Sequence, residues 1–322
     1  MELTWPIKLR IAIVSAVGIG LIGIIAWPLV APADPFGVVS VVNGKINAAG
    51  AIVLLALAFV IGLVSYFLSW PYGSQLGVLA VPAGLAVWAA RSGDIGTLMQ
   101  LNTPIIRREQ IFSTLRWEPM LWLAVVMAGL LGVFIASRII RPAGTTPEPA
   151  DPCLRLAGAG KPAKKSAGKP SNHSIGNLVS AIVAIIGSAV VAQLFIGLFA
   201  RDSTVTDATA VTAVAQPATA QIVFAVIVAF TLAGFLVKKV LDFDYILPII
   251  SSCLVTPFAV IAYGKHDVLE YFARHWPAVF FPNTVLAALP IQIVAFGTIG
   301  ATIGCWLAVR YDYWYQHEIS GG

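Results

Sequence analysis

Apolar residues in this chain fall into eight long runs, and the short stretches between them hold almost all of the charge. The runs lie at about 11–30, 49–68, 76–90, 120–137, 177–199, 221–237, 245–263 and 285–309. Most approach or exceed the roughly 17–25 residues that a helix needs to cross a bilayer, and none alternates like a half-buried strand. The pattern predicts an all-α, polytopic integral membrane protein with about eight transmembrane helices. The first run follows Lys8 and Arg10 and precedes an Ala-Pro-Ala sequence at 31–33, which is the layout of a signal peptide. Its apolar part is longer than the usual 7–15-residue signal core. It is therefore read as an uncleaved signal anchor.

The runs also pair with one another. From Pro82 through Trp88 and Arg91 to Asp94, the order is proline, aliphatics, interfacial aromatic, base and aspartate. The same order runs from Pro257 through Tyr263 and Lys265 to Asp267. Gly132 to Arg138 matches Gly304 to Arg310 in the same way. An offset of about 170 residues relates both pairs, and a duplicated hydrophobic unit implies two pseudo-equivalent halves. The expected organisation is a first four-helix repeat at 1–141, a linker at 142–174 and a second four-helix repeat at 175–322. An even number of helices per half makes the repeats parallel, related by an axis along the membrane normal. The linker is rich in Pro, Gly, Ala and Lys, with Lys161, Lys164, Lys165 and Lys169 at its centre. It holds too little apolar surface to offset the entropy of ordering and is expected to be a disordered basic tether.

Composition agrees with a membrane location. The chain of 322 residues is 58% hydrophobic and 11% charged, against roughly a quarter charged for a soluble domain. Its mean hydropathy is +0.87. The formal charge of +5 is spread over loops in the way membrane topology requires, so nucleic acid is not an expected partner. The densest bases, Lys161–Lys169 and Lys238–Lys239, place both termini in the cytoplasm under the positive-inside rule. A bacterial inner membrane is the expected location. Cys153, Cys253 and Cys305 lack the spacing of a zinc cage, and no metal or cofactor is expected.

Candidate chemistry is sparse, because the eight runs are nearly free of ionisable residues, which usually mark sites inside membranes. Pro82, Pro248, Pro257 and Pro290 each remove a helix hydrogen bond, and Ser251, Ser252 and Thr256 are positioned to take carbonyls freed near Pro257. Interrupted helices at matching positions of two halves point to a transporter site. Pro82, Pro257, Ser251, Ser252, Thr256 and Gln292 form that candidate substrate-binding set. A second set is polar and lies in the two loops expected outside: Arg107, Arg108, His266, Asp267, Glu270 and Arg274. His266 and Glu270 stand four apart, and Val268, Leu269, Phe272 and Ala273 share one face, as in a short interfacial helix. Gly129 and Gly132, with Gly297, Gly300 and Gly304, predict that the fourth and eighth helices pack closely against each other. Tyr311, Tyr313, Trp314 and Tyr315 read as an aromatic belt.

No P-loop, GxSxG or HExxH occurs, and no catalytic residue is assigned. Three functions follow, in order. The first is a non-catalytic scaffold or accessory subunit, with the bilayer, other membrane proteins or further copies of itself as partners. The second is a transporter or channel for a small or apolar solute, with its site between the halves. The third is a membrane enzyme acting on lipid-linked substrates at the outer face.

Overall fold

A computed structural model describes residues 5–32, 37–41, 46–102, 104–139, 173–276 and 279–315. The expected linker lies almost wholly outside these residues. Eight helical segments among the described residues are long and apolar enough to cross a membrane, and the protein is an all-α polytopic membrane protein. The first segment is α1 (Trp5–Gly18) continued by a π-helical stretch, Ile19–Ile25. The second is α2 (Ala48–Leu68). The third is broken: α3 (Gly73–Leu76), a 3-10 turn at Gly77–Leu79, then α4 (Ala80–Arg91). Two short helices follow, α5 (Ile95–Leu101) and α6 (Ile105–Leu115), before the fourth span, α7 (Glu118–Ile139). The remaining spans are α8 (His173–Phe199), α9 (Thr219–Leu241), α10 (Ile246–Tyr263) and α12 (Pro290–Trp314), with α11 (His266–His275) between the last two.

Helix association inside a bilayer depends on close van der Waals packing rather than on exclusion of water, and the glycines mark where the backbones meet. A Cβ on Gly132 would lie 2.2 Å from the Phe59 carbonyl oxygen, so α7 and α2 touch there. A Cβ on Gly304 would lie 2.1 Å from the Thr231 carbonyl oxygen, where α12 meets α9. These two contacts share one offset, since 304 − 132 and 231 − 59 both equal 172. Gly62 against Gly129 and Gly234 against Ala301 repeat it, because 234 − 62 and 301 − 129 are also 172. The glycines therefore serve α2–α7 and α9–α12, not a close α7–α12 seam as the sequence suggests, although α7 and α12 do meet. The two spans most enclosed by protein are the broken third and α12, and they pack together at the centre. On the rim, α8 leaves Leu178, Ile182, Leu194 and Leu198 exposed for lipid.

Connections from alternate helix ends gather on one face as a cap. Gly93 N donates to Gly37 O at 3.1 Å, joining the segment after the first span to the segment after the third. The 200–218 connection, read from sequence as a loop, is a hairpin of β1 (Thr204–Thr206) and β2 (Thr212–Ala215). A third short strand, β3 (Phe280–Phe281), extends it in the order β1-β2-β3, antiparallel throughout. Its Thr and Val residues suit a pleated surface. Asp207 closes the turn by accepting from Ala208 N at 2.6 Å, and Ala210 takes the left-handed conformation at φ 61. Among the described residues, ties on the opposite face include a Lys239–Asp312 ion pair and Arg10 over the Tyr72 ring at 5.7 Å.

Candidate functional site

The first candidate set spreads over three helices. Pro82 is buried in the first turn of α4, Ser251, Ser252, Thr256 and Pro257 lie along α10, and Gln292 sits in the first turn of α12. Both proline helices pack on α12, and no extended α4–α10 seam joins Pro82 to Pro257. Gln292 is engaged at both ends: Leu289 N donates to its Oε1 at 2.9 Å, and its Nε2 donates to Ala89 O at 3.4 Å. This second bond ties α12 to the end of α4. Ser251 Oγ donates to Pro248 O at 2.7 Å and Ser252 Oγ to Ile249 O at 2.6 Å. The serines thus bond carbonyls three residues back, a common habit of helical hydroxyls, instead of those exposed by Pro257. Thr256 Oγ1 is buried without a hydrogen-bond partner among the described residues. Only Pro257 stands inside a helix; Pro82, Pro248 and Pro290 occupy first turns, where the missing N–H has no partner to lose.

The second candidate set is largely brought together. His266 Nδ1 and Glu109 Oε1 lie 2.6 Å apart, joining α11 to α6. His266 Nε2 is 3.8 Å from Glu270, which also pairs with Arg274 one turn further along α11. The hydrogen bond to Glu109, and then its charge, raise the His266 pKa above the ordinary imidazole value. The expected apolar face of α11 forms, with Leu269 and Phe272 buried against the cap. Asp267 is exposed in the first turn of α11, where a negative charge suits the helix end. Arg107 and Arg108 lie in the first turn of α6 on different surfaces. Arg108 borders a cavity of about 30 Å³ with Met99, Phe112, Leu269 and Phe272, room for about one water. Arg107 faces a different groove. The hairpin joins this network, as the Tyr271 hydroxyl donates to Asp207 Oδ2 at 2.6 Å and holds that carboxyl below its usual range. Gln216 completes the joint: Gly96 N donates to its Oε1 at 3.0 Å, and its Nε2 donates to Ala287 O at 3.1 Å.

Sequence reasoning passed over Glu118. It is the first residue of α7 and only 2% exposed. Burying a carboxyl is costly without donors around it, and three are present. Ser40 Oγ and Val41 N (3.3 Å) donate to Oε2, and Trp122 Nε1 donates to Oε1 at 2.9 Å. Trp122 packs edge-on against Trp88, whose indole donates to Gly23 O in the π-helical stretch at 3.2 Å. A Glu-Pro pair opening an apolar run, with Trp four residues on, is the signal that was available: positions i and i+4 share a helix face.

Two open grooves flank α6. One, of about 390 Å³, is lined by Val41, Leu98, Asn102, Arg107, Gln110, Ile111 and Thr114. The other, of about 510 Å³, is lined by Val41, Ser113, Thr114, Trp117, Glu118 and Leu121. None of the six residues of the first candidate set lines either groove or the Arg108 cavity. No cluster of three or more potential metal ligands occurs among the described residues. No protein-family model, curated protein or solved structure matches this chain.

Proposed function

We propose that this protein is a non-catalytic membrane subunit, a scaffold or accessory component of a larger complex, built as two parallel four-helix repeats. The observation that carries the subunit reading is the packing between the halves. Gln292, Ser251 and Ser252 spend their polar groups on nearby backbone, and α12 stands between the two proline helices. A transport path at Pro82 and Pro257 would need that seam to open. What supports the duplication is the shared offset of 172 in the glycine contacts of α2–α7 and α9–α12. The tight packing of the first span on α4 supports its retention as an anchor. Under this reading the cap lies outside the cytoplasm and both termini lie within it.

The convergence of α6 and α11 favours a second reading, an enzyme for lipid-linked substrates at the cap. Its difficulty is that the histidine, acids and Arg274 there are paired with one another. The test is purification from native membranes in mild detergent, with mass spectrometry of the intact assembly. A protein retained at fixed stoichiometry through size exclusion is expected. A lone chain that moves a solute across liposomes, or turns over a lipid-linked substrate, would overturn the subunit reading.

A further inference from the structure

The two grooves beside α6 share Val41 and Thr114, so they form one trough along that helix. One end is cationic and the other apolar. Arg107 lies at the first end with Asn102 and Gln110, while Trp117 and Leu121 lie at the second, where α7 enters its apolar run. Trp117 is 62% exposed, and Arg116 stacks over its ring at 5.0 Å. Exposed tryptophan is the usual marker of the headgroup layer.

The bases beside this trough are not balanced by ion pairs. Arg107, Arg108 and Arg116 form no ion pair among the described residues. The neighbouring acids are engaged elsewhere: Glu109 with His266, and Glu118 beneath Ser40 and Val41. Helix stability does not explain Arg107 and Arg108, since arginines in the first turn of α6 oppose the macrodipole. The corresponding cap helix, α11, neutralises itself through Glu270 with Arg274 and His266. Arg107 therefore brings to the trough a positive charge that no described acid neutralises. Hydrogen-bonding groups from Asn102, Gln110, Ser113 and Thr114 run from that charge to the tryptophan. The volumes, about 390 and 510 Å³, fall in the range that holds small organic ligands.

We propose that this trough binds the headgroup of an anionic phospholipid from the adjoining leaflet. The phosphate sits at Arg107, the glycerol and headgroup hydroxyls lie along Gln110, Ser113 and Thr114, and the acyl chains descend past Trp117 and Leu121 along α7. This site is independent of the subunit reading, because a scaffold, a carrier or an enzyme can each hold a structural lipid.

The test uses the full-length protein, delipidated in dodecyl maltoside and titrated with dioctanoyl phosphatidylglycerol, dioctanoyl phosphatidylcholine or inorganic phosphate, with bound species counted by native mass spectrometry. Phosphatidylglycerol is expected to bind about tenfold more tightly than phosphatidylcholine, from the charge of Arg107 in the trough and of Arg116 over Trp117. Arg107→Gln is expected to weaken phosphatidylglycerol by about fivefold, the effect of one base near an anionic headgroup. Thr114→Phe, filling the point where the grooves join, is expected to abolish binding of both lipids at the trough. Arg274→Gln, on the same face but already paired, leaves the preference intact, and each variant is checked for an unchanged melting temperature. Equal binding of the two lipids, or a preference that Arg107→Gln leaves undiminished, overturns the proposal. Inorganic phosphate that binds as tightly and displaces phosphatidylglycerol would show a free-phosphate site and also overturn it.

Discussion

The first four spans and the last four use the same glycine contacts but hold their outermost helix differently. In the first half α1 lies so close to α4 that a Cβ on Gly18 would fall 1.8 Å from Ala80 O. In the second half, 175 residues on from each (193 − 18 and 255 − 80), Gln193 reaches across and donates to Val255 O at 3.2 Å. One contact is backbone on backbone; the other is bridged by a side chain. The helix ends differ too. Glu118 opens α7 as a buried carboxyl gripping the 37–41 segment, whereas α12 opens with Gln292 satisfying the Leu289 N–H. The glycine contacts thus match between the two sets of four spans, while the helix ends and the rim carry different polar chemistry.

Glu118→Ala should have the largest effect. It removes the carboxylate that accepts from Ser40 Oγ, Val41 N and Trp122 Nε1, at about 1–3 kcal/mol for each buried donor that neither water nor another acceptor reaches. A fall in melting temperature in detergent well beyond that of Gln292→Leu is expected; equal falls would mean that the two helix starts are equivalent after all. Next come Gly132→Ala and Gly304→Ala, each forcing a methyl into a carbonyl at 2.2 or 2.1 Å. Overpacking of this kind costs about 1–3 kcal/mol, and the two variants should match. Gly187→Ala meets nothing within 4 Å and should be neutral or mildly stabilising, as alanine outranks glycine in a helix. A large difference between Gly132→Ala and Gly304→Ala would count against a shared ancestral seam.

Gln193→Leu is expected to cost less, about 0.6 kcal/mol, the average for an interhelical hydrogen bond in a membrane. Gly18→Ala in the opposite half should cost several times more. The smallest effect concerns His266. Its pKa is raised in the folded protein, so the stabilising contact with Glu109 is fully present below the ordinary imidazole value and fades as pH rises through the raised one. Thermal melts of wild type and His266→Gln should therefore converge as the buffer becomes alkaline and as salt is added. A gap that widens with pH would contradict the pairing.

The spans were legible because length and apolarity follow directly from bilayer thickness, and the interfacial face of α11 followed from Val268, Leu269, Phe272 and Ala273. The glycine partners were not. Small residues announce that some helix comes close, but Gly132 carries no mark saying that its neighbour is Phe59 on α2 rather than α12. The hairpin at 204–215 was missed because seven strand residues rich in threonine and alanine resemble a polar loop until Phe280 and Phe281 supply the third strand. Glu118 was passed over because its burial depends on Ser40 and Val41, 78 and 77 residues away. The cap as a whole is a product of such long-range contacts, which no local pattern encodes.

The most direct test is sided labelling of single cysteines in intact membranes, in a background lacking the native cysteines. Ala208 lies in the β1–β2 turn, Asp267 on α11 and Asp242 between α9 and α10, and all three are exposed. Two four-helix units inserted in the same direction require Ala208→Cys and Asp267→Cys, together with Ser113→Cys at exposed Ser113 on α6 of the first four spans, to react with an impermeant maleimide from one side. Asp242→Cys should react only from the other. Labelling of Ser113→Cys from the side opposite to Ala208→Cys and Asp267→Cys would contradict both the shared cap and the parallel arrangement of the halves.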